Sequence, residues 1–301
     1  MELAEEQRIL RAYRRMFLLL SRDSDEGIHH WCALECSNIN QTDTDDILLD
    51  NIVRIVREAY GEDGIIEVAR RVPPVSESDD ELVGRDWNTT AIRNAIRKGF
   101  PDPTISVEAN KPVGWRNYRS EAAEMVARAA LAQVHSISFP VAPQVGKPNP
   151  NMPVLGFDGW GILTNGAEYM FVLLQVKGTD DDQRPPQAAD ELIRECGKAP
   201  RDEAIICRAL TVIACALDEN APMFSVVLGF LEAIGDGKDI DIVVAPVIVR
   251  GLITAHLDDL SSIRDQRETY RPATARGLTV SISRDLTEFG YQVMTKARSA
   301  A

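Results

Sequence analysis

The chain has 301 residues, which is ample length for a buried core, and its 45% hydrophobic and 26% charged content is typical of a globular protein. A net charge of −13 without any Lys/Arg-rich block argues against a protein that grips nucleic acid unaided over a broad basic face. No apolar run approaches membrane-span length, and the first residues lack a signal-peptide cleavage site. Five cysteines favour a reducing, cytoplasmic location without a disulfide framework.

The first hundred residues predict mainly helices. Apolar residues at near-helical spacing predict a helix from Leu3 to Leu20, and a second helix would carry Cys32 and Cys36 on one face. Asp45 and Asp46 come before an apolar stripe that stops at Gly61, which predicts a third helix. A further helix is predicted at residues 88–98, where an Asn or Thr cap begins it and a glycine follows it.

Four potential zinc ligands lie within eight residues: His29, His30, Cys32 and Cys36. A zinc site usually needs a second pair of ligands downstream at a recognisable spacing. The next cysteine is Cys196, far along the chain. These residues are therefore expected to be core cysteines beside a half-buried histidine.

Turn-forming proline and glycine residues are frequent near residue 110. The polar, proline-bearing stretch 71–84 predicts a loop, and the segments 101–104 and 110–115 resemble turns. We therefore predict a helical N-terminal region at 1–110, suited to docking a partner, and a second domain at 111–301.

The second part predicts an alternation of helices and strands. A helix at 118–134 comes before strands at 136–141, 154–163 and 168–176, and Asn165-Gly166 predicts a hairpin between the last two strands. The remaining predicted elements are helices at 187–196, 203–217 and 223–234, strands at 240–250 and 278–283, and a helix at 286–298. Because Pro246 cannot donate a ladder hydrogen bond, the strand that contains it is expected at an edge or at a bulge.

Polar residues interrupt both strands of the predicted hairpin. Asp158 stands in "LGFDGWG" on the first strand, and Gln175 and Lys177 stand in "FVLLQVKGT" on the second. Alternate residues of a strand point to the same face, so the amide and the ammonium should project side by side. Pairing across the hairpin should bring Asp158 opposite Gln175.

This arrangement resembles the PD-(D/E)XK nuclease superfamily, over roughly residues 118–250. The predicted order of helices and strands matches the αβββαβ core of that family, and "GFDGW…LLQVKGT" is similar to its Gln-x-Lys variety, as in Mrr-type restriction enzymes. The resemblance implies an α/β, restriction-endonuclease-like fold. It also implies that Asp158, Gln175 and Lys177 are catalytic.

The chemistry of these residue types agrees with the resemblance. Phosphodiester hydrolysis needs an activated water and stabilisation of charge on the phosphate, and Mg²⁺ supplies both. Mg²⁺ takes hard oxygen ligands, so Asp158, the Gln175 amide and the Val176 main-chain carbonyl are candidate ligands, with Mn²⁺ as a substitute. Lys177 would position or deprotonate the attacking water, or neutralise developing charge.

Because Gln175 carries no negative charge where other members of the family have an acid, a metal site here would need a second carboxylate from elsewhere. The family often takes one from the preceding helix, where Glu121 and Glu124 are available. On a helical wheel Glu121 flanks the apolar stripe, whereas Glu124 lies nearly opposite it. We therefore predict that Glu121 is a metal ligand and a catalytic residue, with Glu124 as the alternative.

Two other interpretations remain open for the motif. In the first, Asp158 only stabilises a turn or bulge next to two glycines, and Lys177 protects an edge strand from aggregation. Alternatively, the chain has a catalytically inactive nuclease fold that serves as a binding or assembly subunit.

The acidic run that follows the Gln-x-Lys strand is best read as a solvated loop, although Asp180 is available as an extra metal carboxylate. Five nearby side chains can contact phosphate but are each expected to be surface groups: Arg116, Arg119, Arg184, Gln187 and Arg194.

The resemblance implies Mg²⁺-dependent hydrolysis of DNA. The excess of Asp and Glu over Lys and Arg indicates a multi-component system. In such a system the N-terminal region would dock on a helicase, an ATPase or a sensor. Such an architecture is similar to bacterial antiphage-defence effectors, for example the nuclease subunit of the Hachiman system, which pairs with a helicase.

Overall fold

The computed structural model describes residues 16–25, 27–37, 46–72, 86–104, 117–146 and 157–300. Its strands are β1 (Phe17–Asp25), β2 (His29–Cys36), β3 (Ile137–Ser138), β4 (Gly159–Asn165), β5 (Glu168–Thr179), β6 (Ile242–Arg250) and β7 (Thr274–Ser281). Its α-helices are α1 (Ile47–Ala59), α2 (Glu62–Arg71), α3 (Thr89–Lys98), α4 (Asn117–His135), α5 (Ala188–Lys198), α6 (Glu203–Ala216), α7 (Pro222–Gly235), α8 (Ser261–Asp265) and α9 (Leu286–Arg298).

The seven strands form one mixed sheet in the order β1-β2-β7-β6-β5-β4-β3. Strands β2, β7, β6 and β5 run parallel to one another. Antiparallel strands complete both edges, with β1 beside β2 at one edge and the β4 and β3 pair at the other. The predicted α/β class is therefore confirmed.

The predicted hairpin joins β4 and β5. Asn165 pairs with Glu168, which leaves a two-residue loop of Gly166 and Ala167. Gly166 has φ +63, a left-handed conformation that only glycine adopts without strain. A positive φ at the first loop position alone is the type II′ pattern, which matches the right-handed twist of the strands. This turn fixes the register that brings Asp158 beside β5.

The sheet separates two hydrophobic layers. Alternate residues of β5, such as Val172 and Leu174, share one core with α1, α4 and α9. The residues between them, such as Phe171 and Leu173, share the second core with α5, α6 and α7. Residues 175 and 177 have the same parity as 171 and 173, so Gln175 and Lys177 face the layer that contains α5.

Helices with strong capping signals form where the sequence predicts them. The Asp46 carboxylate accepts the Leu49 N–H at 3.0 Å at the start of α1, and the Asn88 side chain accepts the Ala91 N–H at 3.0 Å at the start of α3. Each cap satisfies a backbone donor that the first turn of a helix leaves unpaired. α9 has the predicted bounds.

The prediction of a mainly helical N-terminal region is wrong for residues 17–36. Phe17–Leu20 belongs to β1 and not to a helix, and Cys32 and Cys36 lie on β2. Residues 3–15 of the predicted first helix lie outside the described part. β2 lies between β1 and β7 and is buried on both faces, so its sequence lacks the alternation that marks a half-exposed strand. The helix α2 was not predicted.

Two further features depend on contacts that are distant in sequence. β6 is a central strand, so the expected edge position for Pro246 is wrong; its pairing with β7 skips residues 245 and 246. The predicted domain boundary near residue 110 lies in an undescribed segment, but strands from both sides of it belong to the one sheet. Within the described ranges, no helix is long and apolar enough to cross a membrane.

Candidate active site

Asp158 lies immediately before β4 and is fixed to β5 by its backbone and its side chain. Its N–H donates to the Leu174 carbonyl at 3.2 Å, and its Oδ2 accepts the Val176 N–H at 2.7 Å. Gly159 pairs with Leu174, so the next position along the hairpin sets Asp158 against Gln175. The structure thus brings the predicted aspartate and the Gln-x-Lys strand together.

Gln175 is buried, with 6% of its surface exposed. Its side-chain amide forms no hydrogen bond with any other described residue, and Asp158 Oδ1 likewise accepts none within those ranges. A buried amide normally has a hydrogen-bond partner. Because no described residue donates a hydrogen bond to either of these two oxygens, both can act as ligands.

Two glutamates of α5 bind Lys177, and neither was predicted from the sequence. Lys177 Nζ lies 3.2 Å from Glu195 Oε2 and 3.3 Å from Glu191 Oε2. The signal was present in the sequence: acids four apart share a helix face, and a helix that follows a strand directly packs back against it. Which helix face turns toward the strand is, however, a tertiary property.

Burial raises the pKa of Asp158 to about 6. The hydrogen bond from Val176 and the charge of Lys177 oppose this rise, whereas the charges of Glu195 and Glu121 add to it. Counting Glu191, the neighbourhood holds four carboxylates and one ammonium. This excess of negative charge disfavours a charged Asp158 and would favour a bound cation.

Lys177 remains an ammonium near neutral pH. Burial lowers its pKa, but the charges and hydrogen bonds of Glu195 and Glu191 outweigh burial, and the net pKa is raised. An ammonium cannot accept a proton. Of the predicted roles for Lys177, this environment favours positioning and charge stabilisation over deprotonation of the water.

The two glutamates of α4 have different surroundings. Glu121 is 1% exposed and contributes to the raised pKa of Asp158. Glu124 accepts a hydrogen bond from Gln144 Nε2 at 2.9 Å and is not among the charges that affect Asp158. Contrary to the helical-wheel argument, Glu124 is also buried, because the first half of α4 is covered on all sides. Electrostatically, Glu121 is thus the α4 carboxylate associated with the site.

Glu121 approaches from the face of the sheet opposite to α5. Its helix belongs to the core layer that contains Val176, whereas Gln175 faces the other layer. Burial, together with the charges of Glu121 and Glu124, raises the pKa of Tyr60. Glu121 therefore acts electrostatically on both Tyr60 and Asp158, but from the face of the sheet opposite to Gln175 and Lys177.

The acidic loop after β5 is held by ionic contacts. Asp180 is paired with Arg119 at 3.0 Å, so it is not free to serve as an additional ligand. Arg184 donates to the Thr254 carbonyl at 2.8 Å, and the Gln187 N–H donates to Asp181 Oδ2 at 2.9 Å. The exposed Arg194 contacts Glu191 at 3.7 Å, and residue 116 lies outside the described part.

The oxygen donors around Asp158 fit a hard divalent cation. They are the carboxylates of Asp158, Glu195 and Glu121, the Gln175 amide and the Val176 carbonyl that the sequence predicts as a ligand. No group of three or more His, Cys, Asp or Glu side chains in the described ranges is placed to share one metal ion. A cation here would therefore use one or two carboxylates, neutral oxygens and water, as Mg²⁺ commonly does.

Cys32 and His29 of β2 have structural partners. Cys32 is fully buried and belongs to the α4 core. His29 Nδ1 accepts the Ala275 N–H at 3.0 Å, which ties β2 to β7. These contacts agree with the expectation of core residues rather than zinc ligands.

No protein-family model matches the chain, and a search of curated proteins returned no match.

Proposed function

We propose that the chain is a Mg²⁺-dependent nuclease with a PD-(D/E)XK-type, restriction-endonuclease-like core that hydrolyses phosphodiester bonds in DNA. The observation that carries the proposal is the junction of Asp158 with β5, where the Val176 N–H fixes the carboxylate beside Gln175 and Lys177. The order α4-β3-β4-β5-α5, continued after α6 and α7 by β6 parallel to β5, supports it.

Each residue has a role that its environment supports. Asp158 and Gln175 supply oxygens for Mg²⁺, with Val176 and one glutamate, Glu195 or Glu121, completing the protein ligands. Bound Mg²⁺ would polarise the phosphate and lower the pKa of a water molecule. The ammonium of Lys177 stabilises charge that develops on the phosphate oxygens in the transition state. Because Lys177 holds its proton, the Glu195 carboxylate beside it would accept the proton that leaves the water where Glu121 is the glutamate that binds the metal.

The net charge of −13 bears on how DNA would be held. An acidic protein repels a polyanion over distances of about a Debye length, ~8 Å at physiological salt. We therefore propose a protein partner, such as a helicase or ATPase, that supplies most of the affinity for DNA. Membership of a bacterial antiphage-defence or restriction system is part of the same proposal and rests on the resemblance alone.

Cleavage of supercoiled plasmid and of single-stranded DNA, with Mg²⁺ or with EDTA, tests the activity. We expect Mg²⁺-dependent cleavage that falls about 10²–10³-fold in Lys177→Ala, because a preorganised charge is removed from the site. Glu195→Gln should lose more activity than Glu191→Gln, since Glu195 is the less exposed and also acts on Asp158. Lys238→Ala, which removes an exposed lysine paired with Asp236, is the matched control.

A catalytically inactive subunit is the second candidate, and one observation favours it: two carboxylates already bind Lys177. It predicts DNA or partner binding without cleavage. Activity that is absent with Mg²⁺ and Mn²⁺ even in the presence of a co-purifying partner, or that is equal in Lys177→Ala and the wild type, would favour this candidate over the nuclease.

A further inference from the structure

Four basic side chains meet at the end of the sheet opposite to the candidate active site. We call Arg22, His30, His135 and Arg276 the basic cluster. His30 pairs with Arg276 across β2 and β7, and Arg22 pairs with Cys32, two positions along β2 from His30. Paired and alternate positions share a face, so the three strand residues project together toward α4, which ends at His135.

The basic cluster has no ionic partner in the part of the chain that the structure describes. Within the described ranges, none of its four members forms an ion pair with a carboxylate, although the chain has 46 acidic residues against 33 Lys and Arg. Arginines elsewhere in those ranges, such as Arg97 and Arg250, have carboxylate partners. Arg276 instead donates to the carbonyls of Ile28 and Ala275. Two guanidinium groups without a carboxylate partner, grouped with two histidines, are unexpected in so acidic a protein.

His135 adds an unused hydrogen-bonding atom to the basic cluster. Its Nε2 is buried and forms no hydrogen bond with the residues that the structure describes. Burial and the charges of Arg276, His30 and Arg22 lower the pKa of His135 to about 3. The carbonyls at the end of α4 provide only about half a negative charge, which is less than two guanidinium groups carry. The dipole of α4 therefore does not account for the basic cluster.

We propose that the basic cluster binds a phosphate monoester group. Planar guanidinium groups bind phosphate oxygens through paired N–H donors, and the Nε2 of His135, which bonds no described residue, offers a further ring nitrogen beside His30. Arg22 is exposed and the other three side chains are half-buried, so the site is reached from solvent. Its members come from β1, β2, β7 and α4 and converge on one place, so they form no stripe along which a nucleic-acid backbone would lie.

The proposed phosphate site is independent of the proposed nuclease activity. His30 and Arg276 lie near the starts of β2 and β7, whereas Gln175 and Lys177 lie near the end of β5, and these strands are parallel. The site is thus a second ligand-binding position, for a small phosphorylated molecule or for the terminal phosphate of an oligonucleotide.

Proton NMR of the histidine rings tests the proposal, because the chain has only four histidines. Inorganic phosphate should shift the His30 and His135 signals in a saturable way, with a Kd of about 1 mM or tighter. Arg22→Gln should weaken binding about tenfold, because one charge-assisted contact is removed from an exposed position that the fold tolerates. Arg208→Gln changes an exposed arginine of α6 and should bind as the wild type does.

Two further ligands distinguish the sources of phosphate. AMP and a short 5′-phosphorylated DNA should shift the same two signals, and the matching 5′-hydroxyl DNA should not. The proposal is overturned if phosphate produces no saturable shift at about 10 mM, or if Arg22→Gln binds as tightly as Arg208→Gln. Equal binding of the 5′-hydroxyl DNA would show a site for backbone diesters and would likewise overturn it.

Discussion

Asp158 is held in place by a backbone hydrogen bond, yet its surroundings disfavour its charge. Its pKa rises from 3.8 to about 6, chiefly because it is buried. An acid with a raised folded-state pKa binds its proton more tightly in the folded chain than in the unfolded chain. The carboxylate therefore costs stability above about pH 6, and the cost disappears as the pH falls below the unfolded value near 4.

Asp158→Asn should accordingly stabilise the metal-free protein at neutral pH. The Asn carbonyl oxygen can still accept the Val176 N–H, while the charge is gone. We expect a gain on the order of 1–3 kcal/mol at pH 7.5 that shrinks toward zero near pH 4, measured by thermal unfolding across pH. Asp236→Asn, at an exposed position, is the control and should show no such pH dependence. A destabilised Asp158→Asn at pH 7.5 would contradict the prediction.

The sequence predicts those residues of the candidate site that depend on local structure and misses one that depends on tertiary packing. The juxtaposition of Asp158, Gln175 and Lys177 follows from strand parity and one hairpin turn, which are local properties. Glu195 depends on how α5 is rotated against β5, and that rotation is set by buried residues such as Leu192 that pack on the sheet. Sequence periodicity identifies the buried face of α5 but not the charged residue at its border.

The loop that leaves β5 is held by a buried arginine. Arg250, at the end of β6, donates to the Asp181 carbonyl at 2.6 Å and to the Gln183 carbonyl at 3.0 Å. Its guanidinium also lies 3.3 Å from Asp259, and both side chains are fully buried. Asp259 in turn accepts the Thr279 hydroxyl hydrogen at 3.0 Å. This network positions the segment that follows Lys177.

Arg250→Met should therefore destabilise the fold strongly. Among the described residues, the substitution leaves buried Asp259 with only the more distant Arg184 as an ionic partner, at 3.6 Å. We expect a loss of about 3 kcal/mol in the free energy of unfolding in urea. Arg271→Met removes an exposed ion pair with Glu268 and should cost less than about 0.5 kcal/mol. Similar losses for the two variants would show that the network contributes little.

Elements with local signals are predictable, and those that need distant partners are not. α1 and α3 have capping side chains, and β4 and β5 have a glycine turn between them. β1 and β2 are different because β2 pairs with β7, about 245 residues later in the chain. An apolar run such as Phe17–Leu20 suits a helix or a strand equally well until that partner is known.

At the scale of the whole molecule, the N-terminal part completes the sheet and one of its cores. β2 covers the edge of β7, and β1 covers β2. Of the 39 described residues that are buried in the α4-side core, 12 come from before residue 110. A buried ion pair between Glu62 and Arg97 at 2.7 Å also joins α2 to α3, and Arg97 donates to the Ser299 carbonyl near the end of the chain.

The fragment 111–301, which the sequence analysis predicts to be a domain, should consequently fail to fold on its own. Without β2, the edge of β7 is left unpaired and exposed. Without α1, apolar residues of α4 and α9 are exposed to solvent. We expect no cooperative thermal transition by circular dichroism, together with aggregation. Because the missing contacts are noncovalent, co-expression with the fragment 1–110 should restore a soluble complex that unfolds cooperatively. A fragment 111–301 that alone unfolds cooperatively near the melting temperature of the full chain would show instead that β1, β2 and α1–α3 are an addition to an independent domain.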